Sequence, residues 1–125
     1  MKKIFKILGI IFLAFIILFT VGFFIIKSSI PDINVGELDL INISDGLYTG
    51  EYSAGVVKAF VEVQVKDNRI TDIIIKEHDN GLGKPAEKIT EEIILHQSLN
   101  VDVISGATLS SNVIRKAVEE ALNNE

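Results

Sequence analysis

No cysteine occurs in the 125 residues, which excludes disulfides and a lipid-bearing N-terminal cysteine alike. Acidic residues are absent up to Lys27. All 17 lie beyond it, with 8 of the 12 Lys and Arg, so the remainder carries a net charge of −9 with both histidines neutral. So few basic residues argue against nucleic acid or an anionic lipid surface as its partner, because both need basic patches. Histidine occurs twice, at His78 and His96. Two isolated imidazoles without a carboxylate constellation do not make a metal site, and no Ser/His/Asp order points to hydrolysis. Neither a metal ligand nor a catalytic residue is expected.

One long apolar run is present. Ile4 to Ile26 spans 23 residues, interrupted by Lys6, Gly9, Thr20 and Gly22, and about 20 residues suffice to cross a bilayer as a helix. Lys2, Lys3 and Lys6 precede or open the run and Lys27 alone follows it. The positive-inside rule then places the N-terminus in the cytoplasm and the remainder outside the cell membrane. A cleaved signal peptide competes with this reading. The run exceeds the usual apolar region of a signal and no A-x-A-like site follows, so an uncleaved anchor is preferred. Gly9 and Gly22 are too far apart for a helix-pairing motif.

Three regions are expected: 1–27 as cytoplasmic N-terminus and transmembrane anchor, 28–45 as a stalk or linker, and 46–125 as a small domain. The linker holds Pro31, Gly36 and several Asn and Asp without a clean period, and would reach at most about 60 Å fully extended. Within the domain, Val57, Ala59, Val61, Val63 and Val65 alternate with Lys58, Phe60, Glu62, Gln64 and Lys66, the period of a strand with one buried face. Gly46 to Ala54 reads as the strand before it and Ile70 to Lys76 as the strand after, joined by a turn at Lys66-Asp67-Asn68-Arg69. A helix fits Pro85 to Ser98, with Ala86, Ile89, Ile93 and His96 on one face. Leu109 to Asn123 repeats apolar residues with helical spacing at Val113, Ile114, Ala117, Val118, Ala121 and Leu122. Three antiparallel strands followed by two helices make an α+β domain, its helices on one face of the sheet.

Between the two helices stands Asp102-Val103-Ile104-Ser105-Gly106-Ala107-Thr108. A small-residue turn keeps bulk away from the backbone beside the Thr108 hydroxyl. A helix starting at 108–111 would offer unpaired backbone N–H groups and the positive end of its dipole to a phosphate on that hydroxyl. The plain alternative is an N-cap and turn, which the same residue types provide.

The run resembles the D-x-x-[S/T]-G-A-[T/S] motif of FMN-binding domains, and the likeness extends over about 80 residues. Asp45-Gly46-Leu47-Tyr48-Thr49-Gly50 is similar to the family's opening D-G-x-Y-x-G strand. Glu77-His78-Asp79-Asn80-Gly81-Leu82-Gly83 is similar to its His/Glu segment leading into G-x-G, and Gln97-Ser98 to the helix end before the motif. In that family a separate flavin transferase links FMN through its phosphate to the last residue of the motif. The resemblance therefore implies covalent FMN on Thr108, with Asp102, Ser105, Gly106 and Ala107 read by the transferase. Ser105, Gly106 and Ala107, together with Gly81, Leu82, Gly83 and His78, would border the flavin. His96 is expected as a half-buried structural residue, and Tyr48 and Tyr52 as sheet aromatics.

The family's larger relatives include flavin-carrying subunits of ion-pumping quinone reductases and related membrane electron-transfer complexes. A single motif makes this chain similar to the minimal members. The function so implied is a membrane-anchored, extracytoplasmic electron carrier, a redox component rather than an autonomous enzyme. Its partners would be a membrane donor, an outer acceptor and the bilayer around residues 4–26. Two alternatives stay open, reversible FMN binding as a module or reductase component, and a cofactor-free anchored interaction domain.

Overall fold

Alternating burial along β2 (Val57–Lys66) sets the architecture, because its inward residues Ala59, Val61 and Val63 are fully buried while the residues between them face outward. β1 (Gly46–Ala54) and β3 (Arg69–Asp79) flank it in an antiparallel sheet ordered β1-β2-β3. The structure, a computed structural model, describes residues 1–28, 32–79 and 83–123. Gly81 and Leu82 lie outside the described residues. The β2–β3 hairpin turns on Asp67 and Asn68, both at positive φ (52° and 60°), the backbone that matches a two-residue turn to the twist of its strands.

Register in β3 is broken twice. Gln64 and Val65 face Asp72 and Ile70, and Phe60 and Val61 face Glu77 and Ile75, so Thr71 and Lys76 are the extra residues of two bulges. Each bulge flips the alternation of the strand. Ile70, Ile73, Ile75 and His78 consequently share the inner face, although a strict period of two would divide them.

Two helices cover that face, so the domain is α+β as its strand and helix order implies. α3 (Thr108–Asn123) lies across β1 and β2 with Val113, Ile114, Ala117 and Val118 fully buried. Closest approach is at Gly50, where an added Cβ would stand 2.1 Å from the Ala117 carbonyl oxygen and 2.4 Å from the Ala121 nitrogen. Ala117 and Ala121 on the helix and Gly50 on the strand leave no side chains between the backbones.

The helix expected over Pro85–Ser98 divides in two. Lys84–Lys88 forms a 3-10 turn with Pro85 in its first positions, and α2 spans Ile89–His96. Ala86, Ile89 and Ile93 are buried as their spacing requires, whereas the His96 side chain is 57% exposed and pairs with Glu92 at 3.3 Å. The half-burial expected for His96 is thus corrected: it lies near the helix end, off the packed stripe. α2 stops at Gln97, whose φ is 51°. The Gln97 amide accepts from Ile70 N (2.7 Å) and donates to Ile70 O and Ile94 O (2.8 and 2.6 Å), joining the helix end to the bulged edge of β3. Gln97→Ala should cost about 2–3 kcal/mol, since these backbone groups lose their partner. Urea melts would show it, and an unchanged midpoint would mean the bridge contributes nothing.

Two compact units divide the chain, Met1–Asp32 and Ile33–Glu125. In the first, α1 (Lys2–Ser28) contains one stretch, Lys2–Ile25, long and apolar enough to cross a membrane. Its Thr20 hydroxyl donates to Ile17 O (2.9 Å), so that polar group is satisfied within the helix. In the second, residues expected as linker pack on the core: Ile43 is buried, and Ile33, Val35, Leu38 and Leu40 are partly buried against it. Gly36 N donates to Glu119 of α3 (3.2 Å), Asp67 N to Asp45 (2.8 Å) and Asn68 to Ile41 O (2.8 Å).

Candidate functional site

From the end of α2 the chain returns to the core through Leu99, 1% exposed, and then forms the turn that carries the motif. Ala107 N donates to Ile104 O (3.0 Å), closing that turn around Ser105 and Gly106. Gly106 has φ +79°, a conformation that side chains rarely adopt, while a Cβ there would meet open space. Backbone strain is the only penalty, so Gly106→Ala should cost about 1 kcal/mol. Thermal denaturation checks this, and a loss above about 3 kcal/mol would point to a packing role instead.

Ala107 is buried and Thr108, the first residue of α3, is exposed. Its hydroxyl thus stands at the helix start on a solvent-facing surface, where first-turn N–H groups have no helical acceptor. Ser105 and Gly106 are exposed beside it. The following ladder opens with Ser111 N to Ala107 O (2.9 Å).

Two polar residues that the motif does not contain hold this turn to α3. Ser111 is fully buried, and its hydroxyl donates to Ala107 O (2.7 Å) while accepting from Ile104 N (3.0 Å). Arg115 Nε donates to Leu99 O (2.7 Å), and its Nη1 to Asn112 Oδ1 (2.9 Å). Partial burial lowers the pKa of that guanidinium from its usual value, yet it remains cationic at neutral pH. One signal of Ser111 stands in the sequence: it falls on the helical row of Ile114 and Val118, a hydroxyl where the pattern calls for an apolar residue.

Asp102 is exposed and, with Glu92, His96, Asn100, Val101, Val103 and Ile104, borders an open cleft of about 490 Å³. The motif acid and the end of α2 therefore share one surface. His78 and Gly83 flank the undescribed 80–82 segment. His78 sits opposite Ala59 with its side chain 2% exposed and Nδ1 3.1 Å from Glu87 Oε1. The second bulge turns His78 inward, where an unbroken alternation from Ile75 would face it to solvent. Gly83 is buried and accepts from Ala86 N (2.9 Å) at the start of the 3-10 turn. Tyr48 donates to Ser44 O (2.7 Å). Among the described residues no group of three or more His, Cys, Asp or Glu is arranged to hold a metal ion.

The sequence model of the FMN-binding domain matches residues 53–123, over half of the chain and from the end of β1 to the end of α3. NADH:acrylate oxidoreductase of Vibrio harveyi is 37% identical over 95 residues, an alignment covering 68% of this chain and 9% of that enzyme. The chain thus spans less than a tenth of that relative's length.

Proposed function

The chain belongs to the FMN-binding domain family, and from that premise we propose that it is a membrane-anchored electron-transfer flavoprotein carrying FMN as a phosphoester of Thr108. The observation that carries this is the placement of Thr108, an exposed hydroxyl on the first residue of α3 behind a tight turn of small residues. These residues fit the group. The hydroxyl is reachable, Gly106 and Ala107 add little bulk, and the helix start favours the remaining phosphate charge.

Joining FMN to an alcohol with loss of water is unfavourable in water, so the transfer calls for an activated donor, and a phosphoanhydride of FMN such as FAD meets that need. Thr108 Oγ1 attacks the phosphorus on the flavin side, the pyrophosphate bond breaks, AMP leaves, and the hydroxyl proton passes to solvent. No electrons are transferred in that step. A separate transferase supplies the catalysis, with Asp102, Ser105, Gly106 and Ala107 as the residues it reads.

Once bound, FMN supplies the redox chemistry and the protein supplies placement and electrostatics. The Gly81-Leu82-Gly83 stretch with His78 stays assigned to the flavin surroundings on the family resemblance. The three lysines at the start of α1 against Lys27 after its apolar run support an N-terminus inside and a domain outside. There an ester bond prevents loss of the cofactor by dilution. Electrons would come from a membrane donor and pass to an outer acceptor. NADH and acrylate belong to the name of a relative of which this chain covers 9%, and neither is carried over as a substrate.

Coexpression with a flavin transferase tests the proposal. Flavin absorbance should remain with the chain after denaturation and washing and should bleach with dithionite. Protease added to spheroplasts should digest the domain. Flavin released on denaturation would support reversible binding instead, and a protected domain would reverse the orientation.

A further inference from the structure

We infer that Ser111 and Arg115 are positioning residues for the modification of Thr108, so that the transferase meets a preformed turn and not an extended D-x-x-S-G-A-T string. This rests on the function proposed above.

Three hydrogen bonds close a ring at the motif. Ile104 N–H donates to Ser111 Oγ (3.0 Å), Ser111 Oγ donates to Ala107 O (2.7 Å), and Ala107 N–H donates back to Ile104 O (3.0 Å). One hydroxyl, fully buried, thus serves both ends of the turn that projects Ser105 and Gly106. One helical turn further along α3, Arg115 takes the Leu99 carbonyl (2.7 Å). The nine residues from Leu99 to Ala107 are therefore fixed at both ends to the helix that begins with the acceptor. Asp102 lies between these fixings.

The consequence is geometric. Ordering the backbone of each residue costs conformational entropy, and an enzyme that had to order this loop itself would lose that cost from binding. Here the cost is met on folding. The spacing between Asp102 and the Thr108 hydroxyl is then a property of the fold as well as of the sequence.

The test uses the full chain in detergent, a purified flavin transferase and FAD, with adduct formation followed by intact mass over a range of chain concentrations. Amide exchange of residues 101–107 is measured in parallel. Ser111→Ala should lower kcat/KM by about tenfold, chiefly through a higher KM, and speed exchange in that segment. Ser111→Thr, which keeps the hydroxyl, should recover most of the rate. Arg115→Ala, at a part-buried site, should lower kcat/KM by about threefold and carries the test if Ser111→Ala does not fold. Parental kcat/KM in both alanine variants, or unchanged exchange, overturns the inference alone. A parental chain that accepts no FMN overturns it together with the proposed function.

Discussion

Thr108→Ala should abolish covalent flavin, leaving a folded protein with no in-gel flavin fluorescence after coexpression with the transferase. Exposure is the reason that loss and folding separate. Thr108 is solvent-facing at the start of α3, and substitutions at such sites change stability by about 0.5 kcal/mol or less. The neighbouring hydroxyls are poor substitutes. Ser110 and Ser111 are 3% and 0% exposed, with Ser111 already bonded at both lone pair and proton. Ser105 is exposed but stands on the far side of the Gly106 turn. Thr108→Ser should keep the fluorescence. Fluorescence of parental strength in Thr108→Ala would move the attachment to another hydroxyl, with Ser105 first to examine.

Gly50→Ala should destabilise the domain strongly, the largest stability effect expected from one methyl group. Its Cβ would lie 2.1 Å from Ala117 O, 2.4 Å from Ala121 N and 2.8 Å from Ala121 Cα, and all three are backbone atoms that no rotamer change can move. α3 would have to lift from β1, loosening Ala117, Val118, Ala121 and Leu122, each at most 4% exposed. Overpacking costs about 1–3 kcal/mol, occasionally more, and backbone contact on both sides puts this case at about 3 kcal/mol or above. Against a typical total of about 5–15 kcal/mol that is a large share, corresponding to a fall in Tm of about 15 °C or more. Flavin loading should fall with the folded fraction. A Tm within about 3 °C of the parent would show that the helix can shift cheaply.

The sheet was legible because burial on one face leaves a period of two, and β2 carries five inward residues in that period from Val57 to Val65. The bulges of β3 were not. Ile73-Ile74-Ile75 is apolar in either phase, so nothing local reveals that Thr71 and Lys76 drop out of register. His78 accordingly looks like a strand-end residue until the register turns it inward onto Glu87. The end of α2 was hidden in the same way. Its boundary is a left-handed Gln97 held by Ile70, a tertiary contact 27 residues back along the chain. Ile33 to Ile43 reads as a polar lead-in because Gly36, Asn and Asp interrupt it, yet Ile33, Val35, Leu38, Leu40 and Ile43 pack on a core built by later residues.

At the candidate site the division follows the same physics. The small-residue turn and the hydroxyl proposed as acceptor are local features of residues 102–108, and the family resemblance of that short run points to them. Ser111 and Arg115 act through carbonyl and amide groups of a returning loop, and those partners exist only once the loop has folded back on α3. The Lys116–Glu119 pair (2.9 Å) is similar: i,i+3 spacing announces it, but the bond that Gly36 N donates to the Glu119 carboxylate does not appear in any pattern. Glu119 raises the Lys116 pKa, first through their hydrogen bond. Any stability from that pair is fully present below the unfolded lysine pKa and is lost as pH rises through the raised value.

Peptide-level mass spectrometry of the full chain decides whether FMN is bonded covalently to the one hydroxyl of Thr108. Purified from cells that also make a flavin transferase and then digested, the peptide containing Thr108 should carry the mass of one FMN less one water, with fragmentation placing it on that residue. The same peptide unmodified, with flavin recovered free in the denatured supernatant or absent altogether, would contradict the account.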